Sequence, residues 1–134
     1  MTDRQRALVA TIIYTIRNKR VFAGHRVGVR RISDGVKMYE FNGDINSKFI
    51  NLRDDRHNRV THQEFYKNPW GVKIEFIGKS TDRIKILIPK NSVSFHGEDG
   101  DYFRFEGRCY LNDDKIEIRD YSQDKDKYLY RVIW

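Results

Sequence analysis

The sequence is short of the residues on which several classes of protein depend. Its 134 residues include a single cysteine, Cys109, so no disulfide can form within the chain, and a disulfide-stapled secreted scaffold is excluded. The same shortage excludes a zinc finger. There are only two prolines, and the sequence contains no low-complexity segment or internal repeat. The length suits a single domain over residues 1–134 and excludes a multi-domain enzyme.

Long apolar runs are also missing. The uncharged stretch near the N-terminus, residues 7–16, is ten residues long, whereas a membrane-spanning helix needs about 20. No small-residue cleavage site follows it, so a signal peptide is not expected. We therefore expect a cytoplasmic protein without a membrane span, in which this stretch packs on the protein's own sheet rather than on a membrane surface.

Acidic residues are scarce in the first quarter of the chain. Residues 1–33 carry eight bases and one acid, Asp3, while the remainder is neutral, so this segment holds the whole net charge of +7. Such an asymmetry predicts an anionic partner, which could be nucleic acid, a phosphorylated ligand or an anionic membrane surface. A basic surface that serves solubility alone is the alternative.

Residues 1–20 predict a basic amphipathic helix. Thr2 followed by Gln5 fits a capping box, and basic residues in the last turn suit the negative end of the helix dipole. One apolar stripe at helical spacing comprises Leu8, Val9, Ile12, Ile13 and Ile16. Because many of these residues are β-branched, a strand is the competing interpretation.

From residue 26 onward the hydrophobic period is two, which is typical of strands. Six alternating segments joined by short turns follow residue 70, and two or three precede it. The sequence therefore predicts a mainly β fold, an antiparallel up-and-down meander of about eight or nine strands. We expect the meander to close into a small β-barrel over residues 26–134, with one N-terminal α-helix. Gly107, in the middle of a long strand, predicts a bend or a close backbone approach.

Residues 53–69 break this rhythm. The stretch is polar and without a clean period, and we interpret it as an irregular insertion, either a long loop or a short helix ending before Pro69. His57 and His62 lie here beside carboxylates, but their spacing matches no metal motif, so no metal site is predicted.

One segment carries a family resemblance. Residues 101–121, DYFRFEGRCYLNDDKIEIRDY, combine an aromatic strand, a mid-strand glycine, an Asn/Asp turn and an Ile-x-Ile strand. In this the chain resembles the closing hairpin of small bacterial lipocalin-like (calycin) barrels, over residues 70–134 at most. The Gly-x-Trp signature that usually begins the first lipocalin strand is absent, and Trp70-Gly71 reverses its order. The resemblance implies a barrel with an internal binding cavity and no catalysis.

Motifs for catalysis are missing as well. Cys109 shares the apolar parity of its strand and is expected to be a buried hydrophobe rather than a nucleophile. The sequence has no Gly-x-Ser-x-Gly elbow and no Walker-type phosphate loop. We therefore predict a protein that is not an enzyme and has no catalytic residues and no cofactor.

Arginines interleaved with tyrosines form the best candidate site. Such a strand face can clamp a phosphate while the rings stack on a base or sugar. The candidate ligand-binding residues are Arg26, Arg30, Tyr102, Arg104, Arg108 and Tyr110. An ordinary solvated face, with the arginines paired to neighbouring glutamates, is the alternative.

These observations predict a non-enzymatic β-barrel that binds a small anionic ligand: a nucleotide, a cyclic nucleotide or a fatty acid. A nucleic-acid-binding module is the first alternative, and it would use Arg17, Lys19, Arg20, Arg26, Arg30 and Arg31. The second is a protein-interaction or homodimerisation module.

Overall fold

The fold comes from a computed structural model that describes residues 1–17, 22–31, 37–45, 50–54, 59–68, 71–77, 83–89, 93–109, 114–122 and 127–133. Side chains are described for residues 1–14, 16, 17, 39–41, 84–89, 93–109, 114–122 and 127–132. The described residues form one helix and ten strands. In chain order these are α1 (Asp3–Arg17), β1 (Phe22–Arg31), β2 (Lys37–Ile45), β3 (Ile50–Asp54), β4 (Arg59–Asn68), β5 (Gly71–Ile77), β6 (Arg83–Pro89), β7 (Ser94–Glu98), β8 (Arg104–Cys109), β9 (Lys115–Asp120) and β10 (Tyr128–Ile133).

Helix α1 begins with the expected capping box. The backbone N–H of Thr2 donates to Oε1 of Gln5 over 2.9 Å, and the backbone N–H of Gln5 donates to Oγ1 of Thr2 over 3.2 Å. Two backbone donors that a helix start leaves free are thereby satisfied. The helix prediction is confirmed, and the β-branched residues do not make this segment a strand because tertiary packing overrides their local preference.

Residues 6–14 of α1 are all buried. Nine successive residues make about two and a half turns, so no face of this part of the helix is open to solvent. The sequence predicted one apolar stripe, but Ala7, Ala10 and Thr11 are fully buried too. The hydroxyl of Thr11 donates to the carbonyl of Ala7 over 2.9 Å, which satisfies that buried polar group. Strands β1, β2, β8, β9 and β10 contact the helix.

The strands pair antiparallel with their neighbours in chain order. Pairing runs from β1 with β2 through to β9 with β10, and β1 also pairs with β10 through Gly28 to Arg31. A mainly β fold of antiparallel strands with one N-terminal helix is thus confirmed.

Strand β4 corrects the interpretation of residues 53–69. Arg59–Asn68 is a strand, not a loop or a short helix. Its register against β5 shifts between His62 and Glu64, so Gln63 is an extra residue on β4. In a strand, an extra residue turns every later side chain to the opposite face of the sheet. The sequence of such a strand therefore shows no continuous period of two. A similar shift between Ala23 and His25 lies in β1, whose first residue is Phe22 rather than residue 26.

Strands β6 to β10 alternate as expected, with one face buried. The buried side chains on this face are Ile84, Ile86, Ile88, Phe95, Phe105, Cys109, Ile116, Ile118, Tyr128, Tyr130 and Val132. Phe103 was expected to share this face, but it is half-exposed. The alternation starts only at Arg104, because Tyr102 has a positive φ of 66° that reorients the chain before β8.

Two glycines let β6, β7, β8 and β9 approach closely. A Cβ on Gly107 would overlap the carbonyl oxygen of Glu117 and lie 2.6 Å from Cζ of Phe95. A Cβ on Gly97 would overlap the carbonyl oxygen of Lys85 and lie 2.6 Å from Cζ of Phe105. Each ring therefore fills the space above the glycine directly opposite it in the register, Phe95 with Gly107 and Phe105 with Gly97. The close approach predicted at Gly107 is confirmed.

Candidate functional site

A buried polar cluster lies at the start of α1 and is centred on Arg6. Nη1 of Arg6 donates to Oδ2 of Asp120 over 2.9 Å and to the carbonyl of Met1 over 2.7 Å, while Nε donates to the hydroxyl of Tyr130 over 3.0 Å. The guanidinium also lies over the ring of Tyr128, 3.8 Å from its centroid. Burial by itself lowers the pKa of Arg6, but Tyr130 and Asp120 outweigh that effect and leave this pKa raised. Arg6 is therefore a charged structural residue.

Asp3 is the second carboxylate of this cluster. The hydroxyl of Tyr130 donates to its Oδ1 over 2.6 Å, and the hydroxyl of Tyr39 donates to its Oδ2. Burial, together with the hydrogen bond to Asp3, raises the pKa of Tyr130 despite the nearby Arg6. The hydroxyl of Tyr130 thus stays protonated in the folded protein.

Asp120 is satisfied at both of its oxygens. Its Oδ1 accepts from the backbone N–H and the hydroxyl of Ser122, over 3.1 and 2.7 Å. Its Oδ2 accepts from Arg6 and lies 3.1 Å from the ammonium of Met1. Burial raises the pKa of Asp120, but these hydrogen bonds prevail and lower it overall. Because the carboxylates of Asp3 and Asp120 already have protein partners, the cluster holds α1 in place and does not require a ligand.

The position of α1 bears on where a ligand could lie. The lipocalin-like resemblance implies a cavity on the buried face of the sheet, but the side chains of residues 6–14 occupy space on that face. Where α1 packs on β8, β9 and β10, a ligand on that face would have to displace the helix and its buried ion pairs. Among the described residues of these strands, the outer face is the one open to solvent.

Two of the predicted ligand-binding residues lie together on that outer face. Arg104 and Arg108 are exposed residues of β8, with Glu106 between them on the same face. Tyr102 precedes the strand and is 81% exposed. Tyr110 lies outside the described residues, and so do the side chains of Arg26 and Arg30, whose backbones belong to β1.

These arginines line an open surface groove of about 530 Å³ across β7, β8 and β9. Four cationic side chains and two carboxylates meet there. The lining residues are Ser94, Phe95, His96, Arg104, Glu106, Gly107, Arg108, Glu117, Arg119 and Lys127. The groove is therefore cationic overall, and we call it the cationic groove.

Both carboxylates of the cationic groove are engaged. Glu106 pairs with Arg104 over 3.0 Å and accepts the hydroxyl of Tyr121 over 2.7 Å, and Lys127 pairs with Glu117 over 3.5 Å. The hydrogen bond from Tyr121, with the charges of Arg104 and Arg119, lowers the pKa of Glu106. The guanidinium of Arg108 takes part in none of the ion pairs and hydrogen bonds found among the described residues. An exposed, unpaired guanidinium flanked by other cations can bind an anion without breaking an existing contact.

Sequence reasoning missed Arg119, Lys127 and His96. The signal for Arg119 was present, because Lys115, Glu117 and Arg119 alternate with buried residues along β9. What the sequence did not supply was the register, which sets Arg119 opposite Glu106 and Glu117 opposite Arg108.

The residues proposed for nucleic-acid binding do not form one described surface. Nη2 of Arg17 donates to the carbonyls of Pro89 and Ser94, over 2.9 and 3.3 Å. Arg31, like Arg26 and Arg30, has only its backbone described, in β1. Lys19 and Arg20 lie outside the described residues.

Three exposed aromatic residues lie near one end of the cationic groove, and we call them the aromatic cluster. Tyr102 and Phe103 directly precede Arg104 in the chain, and Tyr121 directly follows β9. The backbone N–H of Tyr121 donates to the carbonyl of Arg104 over 3.0 Å. Aromatic and cationic groups are therefore contiguous at this end of the outer face.

Two other features are absent from the described residues. They contain no group of three or more His, Cys, Asp or Glu side chains placed to hold a metal ion. Over the same part of the chain, no helix has both the length and the apolar character that crossing a membrane requires.

Comparisons with protein-family models, with curated proteins and with solved structures give no match for this chain.

Proposed function

We propose that this protein is a non-enzymatic binding protein whose cationic groove takes an anionic, phosphate-bearing ligand. The observation that carries the proposal is the guanidinium of Arg108, which lies among the cations of the groove and has no partner among the described residues. Planar guanidinium groups match the geometry of phosphate oxygens and can bind them bidentately.

Among the anionic ligands expected from the sequence, a phosphate ester fits this groove better than a fatty acid. An acyl chain needs an enclosed apolar cavity. The groove is open, and charged side chains of β8 and β9, with Lys127 just before β10, line most of it. A nucleotide or a longer phosphate-bearing molecule needs no enclosed cavity, and its phosphates can contact the charged side chains of the groove.

We also propose that the strands close into a barrel around α1. Two features support closure: β1 pairs with both β2 and β10, and α1 is buried on every side over residues 6–14. A closed barrel would have ten strands rather than eight or nine. It would keep the architecture of the lipocalin-like resemblance while the ligand site lies outside.

The experiment measures binding of inorganic tripolyphosphate by calorimetry at low salt. Arg108→Gln combined with Arg119→Gln should weaken binding at least about tenfold, because two phosphate contacts are lost. Lys85→Gln combined with Lys115→Gln is the matched control, since it removes the same charge from residues outside the groove, and it should bind within about twofold of the wild type.

Two results would overturn the proposal. One is no measurable binding of tripolyphosphate by the wild type at low salt. The other is an equal loss of affinity in the groove variant and the control variant, which would show that only net charge matters.

A further inference from the structure

The turn between β7 and β8 is held rigidly by one buried carboxylate. Oδ1 of Asp99 accepts the backbone N–H groups of Asp101 and Phe103, over 2.9 and 3.0 Å. The backbone of Asp99 adds two bonds, donating to the carbonyl of Phe103 over 2.9 Å and accepting from the N–H of Tyr102 over 3.1 Å. Oδ2 of Asp99 lies 3.1 Å from the ammonium of Met1. The turn is therefore fixed before any ligand arrives.

This turn holds an aromatic residue in an unfavourable backbone conformation. Tyr102 has a φ of 66°, which bulky residues rarely adopt, and its side chain is 81% exposed. Burial does not compensate for the strain, because the ring projects into solvent. Strain of this kind at an exposed aromatic residue points to a function for the ring.

The other rings of the aromatic cluster are also accessible. Phe103 is 50% and Tyr121 is 49% exposed. The hydroxyl of Tyr121 donates to Glu106, which lines the cationic groove, so its ring adjoins the groove directly. Three accessible rings beside four cations make a surface that offers both stacking and phosphate contacts.

We propose that the cationic groove and the aromatic cluster together bind single-stranded nucleic acid. This inference rests on the proposed function, because the phosphates would lie along Arg104, Arg108 and Arg119. Unpaired bases would stack on Tyr102, Phe103 and Tyr121. In a duplex the base faces are buried against one another, so only a single strand can use all three rings.

The aromatic cluster favours nucleic acid over other polyanions. An acidic peptide would use the cations of the groove but would gain little from three rings held for stacking. A free mononucleotide would stack on one ring and leave two unused. The site would be sequence-tolerant, because every base has a face that can stack.

The test measures fluorescence anisotropy with three labelled probes of equal length, about twelve nucleotides. The probes are oligothymidylate, an abasic phosphodiester strand and a DNA duplex. Oligothymidylate should bind at least about tenfold more tightly than the abasic strand, because only the former has bases to stack. It should also bind more tightly than the duplex.

Variants separate loss of binding from loss of folding. Tyr102→Gly removes a ring and also relieves the positive φ, so the protein should be at least as stable as the wild type. Its affinity for oligothymidylate should nevertheless fall about tenfold, while its affinity for the abasic strand stays the same. Tyr121→Leu should behave like Tyr102→Gly in binding, whereas Tyr121→Phe keeps the ring and should bind like the wild type.

The possible outcomes distinguish a failure of base stacking from a failure of phosphate binding. Equal affinity for oligothymidylate and the abasic strand would overturn the stacking inference and leave phosphate binding intact. Wild-type affinity for oligothymidylate in a combined Tyr102→Gly and Phe103→Ala variant would overturn it as well, as would tighter binding of the duplex. Failure to bind tripolyphosphate and all three probes would overturn both.

Discussion

Arg6 and Asp120 form a buried ion pair that links α1 to the end of β9. The two residues are 4% and 1% exposed, and Nη1 of Arg6 lies 2.9 Å from Oδ2 of Asp120. They are 114 positions apart in the chain, so the pair connects its beginning to its last quarter. A pair of this kind fixes one packing of the helix on the sheet, because any shift of α1 would leave two buried charges unmatched.

Breaking this pair should be strongly destabilising. Arg6→Met removes the cation and leaves the buried carboxylate with fewer partners, so we expect a loss of about 3–5 kcal/mol in the free energy of unfolding. Arg104→Met is the matched control, since Arg104 pairs with Glu106 on the surface, where its side chain is 66% exposed. That exposed pair should contribute less than about 1 kcal/mol.

Urea unfolding measures both variants, and a double-mutant cycle sharpens the result. Arg6→Met combined with Asp120→Leu should lose less stability than the two single changes added together, because neither charge is then left alone. If Arg6→Met cost no more than Arg104→Met, the buried pair would not hold the helix.

The protein should lose stability in acid through Asp120. Hydrogen bonds to Ser122, the N-terminal ammonium and Arg6 outweigh burial and hold the pKa of Asp120 below its ordinary value of 3.8. The unfolded chain therefore binds a proton at a higher pH than the folded one. The stabilisation is complete above the unfolded pKa, and it is lost as the pH falls through the folded pKa.

Free energies of unfolding measured between about pH 6 and pH 3 check this direction. Asp120→Asn should flatten the decline below about pH 4, because the titrating group is gone. Asp101→Asn, at an exposed position in the turn before β8, is the control and should keep the wild-type profile. The same slope in Asp120→Asn as in the wild type would show that other carboxylates cause the acid sensitivity.

The local features of this fold could be read from the sequence because each is set by neighbouring residues. Thr2 and Gln5 predict the helix start, since a capping box needs only residues three apart. Alternation predicts which side chains of β6, β8 and β9 are buried. The glycine at 107 predicts a close approach, and Phe95 of the neighbouring strand supplies it.

The non-local features could not be read in this way. The shift at Gln63 is a matter of register against β5, and register depends on the partner strand. The burial of α1 on all sides depends on strands distant in the chain, so its apolar stripe alone indicated a surface helix. Of the cationic groove, Arg104 and Arg108 could be found on one strand, whereas Arg119 required the β8–β9 register.

Gly107 should not tolerate a side chain. A Cβ there would overlap the carbonyl oxygen of Glu117 and press on the ring of Phe95. We expect Gly107→Ala to cost about 1–3 kcal/mol in the free energy of unfolding, as overpacking of a core does. Arg108→Ala, at the next position but on the exposed face, should cost less than about 0.5 kcal/mol.

Adding Phe95→Leu to Gly107→Ala separates the clash with the Phe95 ring from the clash with the Glu117 carbonyl. The smaller side chain relieves the contact with the ring, but the backbone carbonyl of Glu117 stays in place. Because backbone is harder to displace than a side chain, the double variant should remain less stable than Phe95→Leu alone. A Gly107→Ala protein as stable as the wild type would mean that β8 and β9 can separate locally without cost.

The thiol of Cys109 should react only when the fold opens. The side chain is fully buried on the inner face of β8, so a thiol reagent can reach it only through an opening of the sheet. The labelling rate in native conditions should therefore fall well below that of the urea-unfolded chain. In Gly107→Ala the logarithm of this rate should rise in proportion to the lost free energy of unfolding. Ser94→Cys combined with Cys109→Ala moves the thiol to an exposed position of β7 beside the cations of the groove, where it should react at least as fast as a free thiol. Fast labelling of native Cys109, at the rate of that control, would show that the inner face of β8 is accessible and that α1 does not seal it.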